Sequence, residues 1–363
     1  MPAEPLRAKL ALLCHGVRLA PEDLSRFPGY RHKRASLSEG LCLDLLFPGL
    51  PGPVGINVAV HEPFVASSPF FLNTRSGWIE KDGEPFVRFR LMEPPSWYAL
   101  STEDGTPFQE VFQVHARSIL ATSLTNFCEY RNRGGACAYC ALGSGPDKPK
   151  TKSPKLLRSV LVELKKRGTA YSEVNINAGA LQNGEAALSL YEKAVAAVRG
   201  VVNWPVYVQL CPPGIPDAAR RLAEAGVDAV SYNLEIWDPD LRKALLPEKS
   251  RVSREGYLEA LEDACAVLGR GQASSWLIAG LEPVSSTMEG IRAVAQTGAV
   301  PFVTVFRPLL GSRLQNEPPP DPDALVPVFE ELCRVLAQTG LSPARSKAGC
   351  AGCGCCTPLV EAP

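Results

Sequence analysis

From about residue 119 onward, short apolar stretches alternate with amphipathic ones, and this rhythm constrains the fold more than any other feature of the chain. SILATSLTNF reads as a strand, and PKLLRSVLVELKKRG as a helix with apolar residues three and four apart and a glycine stop. The alternation continues through YSEVNINAGA, EAALSLYEKAVAAVRG, WPVYVQL, DAARRLAEAG, DAVSYNLEI, REGYLEALEDACAVLG, ASSWLIAGLEP, TMEGIRAVAQTG and PFVTVFRP. Strands separated by helices predict a parallel sheet, because parallel neighbours need a crossover long enough to hold one. About six such units are too few for a closed eight-stranded barrel. The expectation is an α/β fold, a partial (β/α)6 TIM-like barrel over residues 119–315.

The residues before it, 1–118, read as a mixed region with a β-rich centre: GINVAVHEPFV, PFFLNTRSGWI, and PFVRFRL after a turn at Lys81-Asp82-Gly83. Proline and glycine punctuation there predicts an absence of long helices. Residues 316–363 carry one more helix, LVPVFEELCRVLAQTG, and then a cysteine-rich tail.

Charge narrows the partners. The 38 basic residues balance 38 acidic ones, so no strong overall field draws the chain to nucleic acid or anionic lipid. MPAEPLRAKLALLCHG lacks the apolar core of a secretory signal, and no stretch is apolar for the roughly 18 residues a membrane span needs. A soluble cytoplasmic protein is expected. In that reducing compartment twelve cysteines do not suggest a disulfide framework. Cys14, Cys42, Cys211, Cys265 and Cys333 stand singly among apolar residues and read as small core side chains.

The other cysteines are bunched. CEYRNRGGACAYC spaces Cys128, Cys137 and Cys140 as C-x8-C-x2-C directly after a strand, hence at the carboxyl edge of the sheet where β/α barrels do chemistry. Three thiolates are one ligand short of a closed tetrahedral zinc site or an all-cysteine four-iron cluster. A cluster so held keeps one iron open to an exchangeable ligand. The CxxC pair is also a frequent zinc half-site that His115 could complete, which leaves a zinc-binding, non-catalytic module as the contrasting reading. In the tail, Cys350, Cys353, Cys355 and Cys356 lie within CAGCGCC, a density that points to metal or cluster ligation, against a redox-labile tail or a zinc knot.

Residues 119–310 resemble the radical S-adenosylmethionine (SAM) superfamily. Its usual CxxxCxxC motif has an aromatic residue before the last cysteine; Tyr139 fills that place here, while the first gap widens from three residues to eight. NINAGA resembles the glycine-containing segment that receives the methionine amino group, here Asn177, Ala178 and Gly179, without the acidic residue often found there. SYNLEIWD resembles the fourth-strand motif of the biotin synthase branch, in which Asn233 and Glu235 would bind the ribose hydroxyls. SSWLIAGLEP resembles the fifth-strand motif, where Ile278 and Gly280 would let adenine approach the backbone. Each segment alone also reads as a strand end, bulge or turn.

The resemblance implies a 4Fe-4S cluster on Cys128, Cys137 and Cys140, S-adenosyl-L-methionine chelating its open iron, one-electron cleavage of the sulfonium, and a 5'-deoxyadenosyl radical acting on a small-molecule substrate. A flavodoxin or ferredoxin would supply the electron. Arg251 is the candidate partner for the methionine carboxylate, since a planar guanidinium suits bidentate recognition. Arg307 is placed by its strand-end position as a candidate for an anionic part of the substrate. The tail cysteines would hold a second, auxiliary iron-sulfur cluster, which by resemblance could anchor substrate, relay electrons, or surrender a sulfur atom as in biotin and lipoyl synthases. PPSWYALSTEDGTPFQEVF with HARSILATSLTNFC also resembles the radical SAM proteins of bacterial nitrilase gene clusters. Methyl transfer and peptide modification are the alternatives within the same fold.

Overall fold

The computed structural model describes residues 3–26, 40–144 and 150–359. Five strands form an antiparallel sheet near the start of the chain: β1 (Leu41–Leu46), β2 (Val54–Val58), β3 (Phe70–Asn73), β4 (Trp78–Lys81) and β5 (Glu84–Leu91), in spatial order β2-β1-β5-β4-β3. The turn expected at Lys81-Asp82-Gly83 joins β4 to β5. Asp82 and Gly83 both have positive φ, 51° and 90°, as a primed hairpin turn requires.

The expectation that this region lacks long helices is corrected at its very start. Ala3–His15 is a 13-residue helix that buries Leu10, Leu12, Leu13 and Cys14. The proline and glycine punctuation begins only after it, and Pro5 falls in its first turn, where the missing amide is one the helix cannot use anyway.

The second sheet holds β6 (Gln113–His115), β7 (Ile119–Ser123), β8 (Glu173–Asn177), β9 (Val206–Leu210), β10 (Ala229–Tyr232), β11 (Ala273–Ala279) and β12 (Val300–Val305), ordered β12-β11-β10-β9-β8-β7-β6. From β7 to β12 every pairing is parallel; β6 adds an antiparallel edge. The strand order is sequential and the two ends stay unpaired with each other, so the curled sheet is an open half-barrel of six parallel units, as the rhythm predicts.

Local signals place the helices. Ser153 accepts from the Leu156 amide at 3.1 Å and caps the helix Pro154–Lys166, which buries Leu157, Val160, Leu161 and Leu164. Asn183 caps Gly184–Arg199 in the same way. These helices cover one face of the sheet, and the strands read accordingly. In β8 and β9 the helix-covered residues are Val174, Ile176, Val206 and Val208, fully or almost fully buried, while Asn175, Asn177, Tyr207 and Gln209 alternate with them towards the concave side. A concave face carrying amides and a phenol is built to hold something polar.

The tail is not a peripheral appendage. The Gly349 amide donates to Glu173 Oε1 at 2.9 Å, at the first residue of β8, and the Lys347 amide to Gln272 Oε1 at 2.8 Å, just before β11. Thr304 on β12 donates to the Cys356 carbonyl at 2.8 Å, and the Asn57 amide on β2 to the Cys355 carbonyl at 2.9 Å. The tail therefore crosses the half-barrel from its amino-end floor and ties it to the antiparallel sheet.

Candidate active site

The cysteine loop leaves β7 at its carboxyl end and is held against the end of β8. Gly179 makes this possible: a Cβ there would stand 1.9 Å from the Phe127 carbonyl oxygen and 3.1 Å from Cys128 Cα. The Glu129 amide donates to the Ala180 carbonyl at 2.9 Å, the Ala138 amide to the Leu245 carbonyl at 2.8 Å, and the Arg131 guanidinium to the Cys140 carbonyl. Tyr139 is buried with Ile236, Leu246, Ile278 and Phe306 in an apolar cluster against which Cys137 and Cys140 pack.

Cys128, Cys137 and Cys140 all line one cavity of about 340 Å³ on the concave side of the sheet. Burial is the largest influence on the Cys137 and Cys140 thiols and pushes both up, Cys137 well above the ordinary thiol value. They become ligands by surrendering their protons to a metal. Among the described residues no group of three His, Cys, Asp or Glu side chains stands at single-ion spacing. A multi-iron cluster spreads its sulfur ligands wider than one ion does.

Asn177, Ala178, Gly179, Asn233 and Glu235 line the same cavity. Glu235 sits at positive φ (69°), a backbone geometry unusual for a non-glycine residue and often found at binding sites. Its Oε1 is 2.7 Å from Lys249 Nζ, both side chains buried, and its Oε2 is buried with no hydrogen-bond partner. Asn175 Oδ1 and Trp276 Nε1, also on the cavity wall, are likewise unpaired. Orphaned buried acceptors and donors on one wall are what a ligand with hydroxyl and amine groups would satisfy. Together with the thiols and the glycine-made cradle, they fit a cluster-bound SAM.

Three sequence-selected residues are placed elsewhere. Arg251 lies on the outside, largely exposed, paired with Glu248 at 3.0 Å. The residue of that segment turned inward is Lys249. Gly280 has φ +97° and is covered by Pro320, whose Cβ would be 2.8 Å from an added Cβ; the close approach there is made by the chain's own proline. Arg307 is buried and donates to Asn57 O at 2.6 Å and to Asn57 Oδ1 at 3.2 Å.

Other residues of the cavity went unread in the sequence. Cys42 and Cys211, taken for core packing, both line it, as do Tyr130, Gln209 and Trp276. The alternation of Asn175-Ile-Asn177 and Tyr207-Val-Gln209 was the available signal for the amides. Cys42 carried none, since its neighbours in LCLDLL are those of any strand. Cys14 is core as expected, whereas Cys333 is exposed.

The family model of the radical SAM superfamily matches residues 122–281, a span that carries the Cys128–Cys140 loop, Asn177–Gly179, Asn233, Glu235 and Lys249. The chain carries a radical SAM domain over these residues. It is a radical SAM enzyme, and that family's 4Fe-4S cluster and SAM are the groups its concave face fits. A relative from Chlorobaculum limnaeum, bacteriochlorophyllide c C-7(1)-hydroxylase, is 25% identical over 275 residues, covering 69% of this chain and 67% of the relative. Among solved structures, methylornithine synthase PylB superposes with a TM-score of 0.48 at 13% identity, over 67% of this chain and 72% of PylB. The hydrogenase maturase HydG superposes with a TM-score of 0.46 at 14% identity, over 60% of this chain and 48% of HydG, so the chain spans about half of HydG's length. No helix among the described residues is long and apolar enough to cross a membrane.

Proposed function

We propose that this radical SAM enzyme functionalises a carbon-hydrogen position of a small molecule held in the cavity between the Cys128–Cys140 loop and the tail cysteines. The observation that carries this reading is that one cavity is lined by Cys128, Cys137 and Cys140 and also by Cys350, Cys353, Cys355 and Cys356. Its volume, about 340 Å³, lies in the range of small-molecule sites.

When bound, the cluster and SAM supply one-electron cleavage of the sulfonium and a 5'-deoxyadenosyl radical able to take hydrogen from carbon. The chain's own part is placement and exclusion of water. Cys128, Cys137 and Cys140 hold the cluster, and Tyr139 seals its flank with Ile236 and Phe306. The end of β8 at Asn177–Gly179 receives the methionine amino group. Glu235, fixed by Lys249, accepts from the ribose hydroxyls through its unpaired Oε2, beside Asn233. Asn175 and Gln209, deeper in the cavity, are turned to the substrate. The tail cysteines, which line the same cavity, would hold a second iron-sulfur cluster, as sulfur insertion would require; the relative named as a hydroxylase favours functionalisation at carbon. A flavodoxin or ferredoxin delivers the electron.

Anaerobic purification and reconstitution test the reading. Brown protein with iron and sulfide that releases 5'-deoxyadenosine on reduction supports it, and iron beyond one cluster supports the tail's role. A colourless protein that takes up zinc and leaves SAM intact overturns it.

A further inference from the structure

The tail cysteines have a companion from the other end of the chain. In the register of β1 and β2, Cys42 stands opposite Asn57 and Asp44 opposite Gly55, so the four residues share one face of the antiparallel sheet. That face is turned to the tail: a Cβ on Gly55 would lie 2.8 Å from Cys355 Sγ, and the Asn57 amide donates to the Cys355 carbonyl. Cys42 also lines the cavity reached by the tail cysteines, and Cys353, Cys355 and Cys356 are its electrostatic neighbours.

We propose that Cys42 completes, with Cys353, Cys355 and Cys356, the four-thiolate set of the iron-sulfur cluster held by the tail, with Cys350 standing beside it under Gln209, so that this cluster joins the antiparallel sheet to the floor of the half-barrel. The inference rests on reading the tail as a cluster site and adds to it a ligand more than 300 residues distant in sequence. Two further observations point to an anionic sulfur centre there. Side-chain amides are aimed at sulfur, Asn57 Nδ2 at 3.4 Å from Cys42 Sγ and Gln209 Nε2 at 3.4 Å from Cys350 Sγ. Such donors stabilise thiolate over thiol and are among the influences that set a cluster's potential.

The second observation is buried positive charge. Lys9, almost wholly inaccessible, donates to the carbonyls of Gly354 at 2.8 Å and Leu359 at 3.3 Å, with Cys353, Cys355 and Cys356 as neighbours. Arg307, also buried, is fixed by Asn57 and keeps an unpartnered Nε; Cys356, Cys42 and the carboxylate of Glu62 surround it. A cation taken out of water is costly unless negative charge accompanies it; Glu62 serves Arg307, whereas the neighbours of Lys9 are the tail sulfurs. A cluster held by several thiolates supplies it, which neutral buried thiols do not.

The test uses the full chain with Cys128, Cys137 and Cys140 changed to Ala, so that iron reports the tail site alone. After anaerobic reconstitution this variant should retain one cluster's worth of iron and sulfide. Adding Cys42→Ala should lower that iron at least five-fold, whereas adding Cys333→Ser, on an exposed helix position, should leave it unchanged. Cys42→Ser keeps volume and an oxygen donor, and should retain the cluster with an altered electron paramagnetic resonance signal. Unchanged iron in Cys42→Ala, or an unaltered signal in Cys42→Ser should the alanine variant fail to fold, overturns the inference. Absence of iron from the starting variant overturns the tail cluster itself and the inference with it.

Discussion

Replacing Lys249 by Met tests the central electrostatic feature of the SAM site. Lys249 Nζ and Glu235 Oε1 are 2.7 Å apart, with only 10% and 6% of their side chains accessible. At that separation and an effective dielectric near 20 the gross attraction is about 6 kcal/mol, and desolvation of both ions opposes most of it. Removal of the lysine leaves the Glu235 carboxylate buried without its cation, and its Oε2 already has no partner. Lys249→Met should therefore destabilise the chain by roughly 3–5 kcal/mol, measured by urea unfolding followed by tryptophan fluorescence under anaerobic conditions. Glu235→Gln should cost a similar amount, because it strands the lysine. The double variant should recover much of the loss, since no unpaired charge remains, and a double-mutant cycle should give a coupling of a few kcal/mol. SAM affinity separates the roles: the double variant, though stable, should still bind SAM weakly for want of a carboxylate beside the ribose. A loss below about 1 kcal/mol for Lys249→Met, or strictly additive single effects, would refute the reasoning.

Further outcomes follow from neighbouring features. Gly179→Ala drives a Cβ to 1.9 Å from the Phe127 carbonyl and should push the cysteine loop off β8, lowering bound iron and costing about 1–3 kcal/mol or more, while Gly52→Ala, with nothing near, should stay within about 0.5 kcal/mol; equal iron in both would count against the packing described. Cys140→Ala should reduce 5'-deoxyadenosine release to background, and retained release would mean that other thiols hold the cluster. Burial lowers His115 from 6.5 to about 4. A depressed folded-state value means its contribution is complete above pH 6.5 and is lost as pH falls towards 4. That loss is worth roughly 3 kcal/mol. His115→Gln should lose correspondingly less stability between pH 7.5 and 4, read from urea midpoints, and parallel curves would show that the imidazole is not desolvated.

The half-barrel was legible because its signal is periodic and local. Apolar strands such as VPFVTV can only be buried on both faces, helix faces repeat every three to four residues, and Ser153 and Asn183 mark helix starts. The same locality made Cys128, Cys137 and Cys140 readable, since their spacing on one loop already implies convergence. Arg251 was misplaced for a related reason: within KSRVSREG the sequence shows two basic residues two positions apart, but the one-turn helix Lys249–Arg251 turns one to the cavity and the other to solvent. Chemistry favoured the guanidinium, and geometry supplied the ammonium.

Cys42 shows where a linear reading ends. Its position in β1 is indistinguishable from that of any small apolar strand residue, and its significance arises only when the tail, more than 300 residues later, lies down against β2. What brings them together is a set of contacts with no sequence pattern of their own: an amide of Asn57 on the Cys355 carbonyl, a lysine of the first helix on the Gly354 carbonyl, and a glutamate of β8 on the Gly349 amide. Each joins a different layer of the molecule to the same short cysteine run. The tail packs a few small apolar side chains, Ala348 on Tyr207 and Ala229 and Ala351 in the main core. Beside them the floor receives sulfurs, side-chain amide donors and the buried Lys9, a composition that packing alone does not call for and that favours an anionic centre within reach of the cavity above.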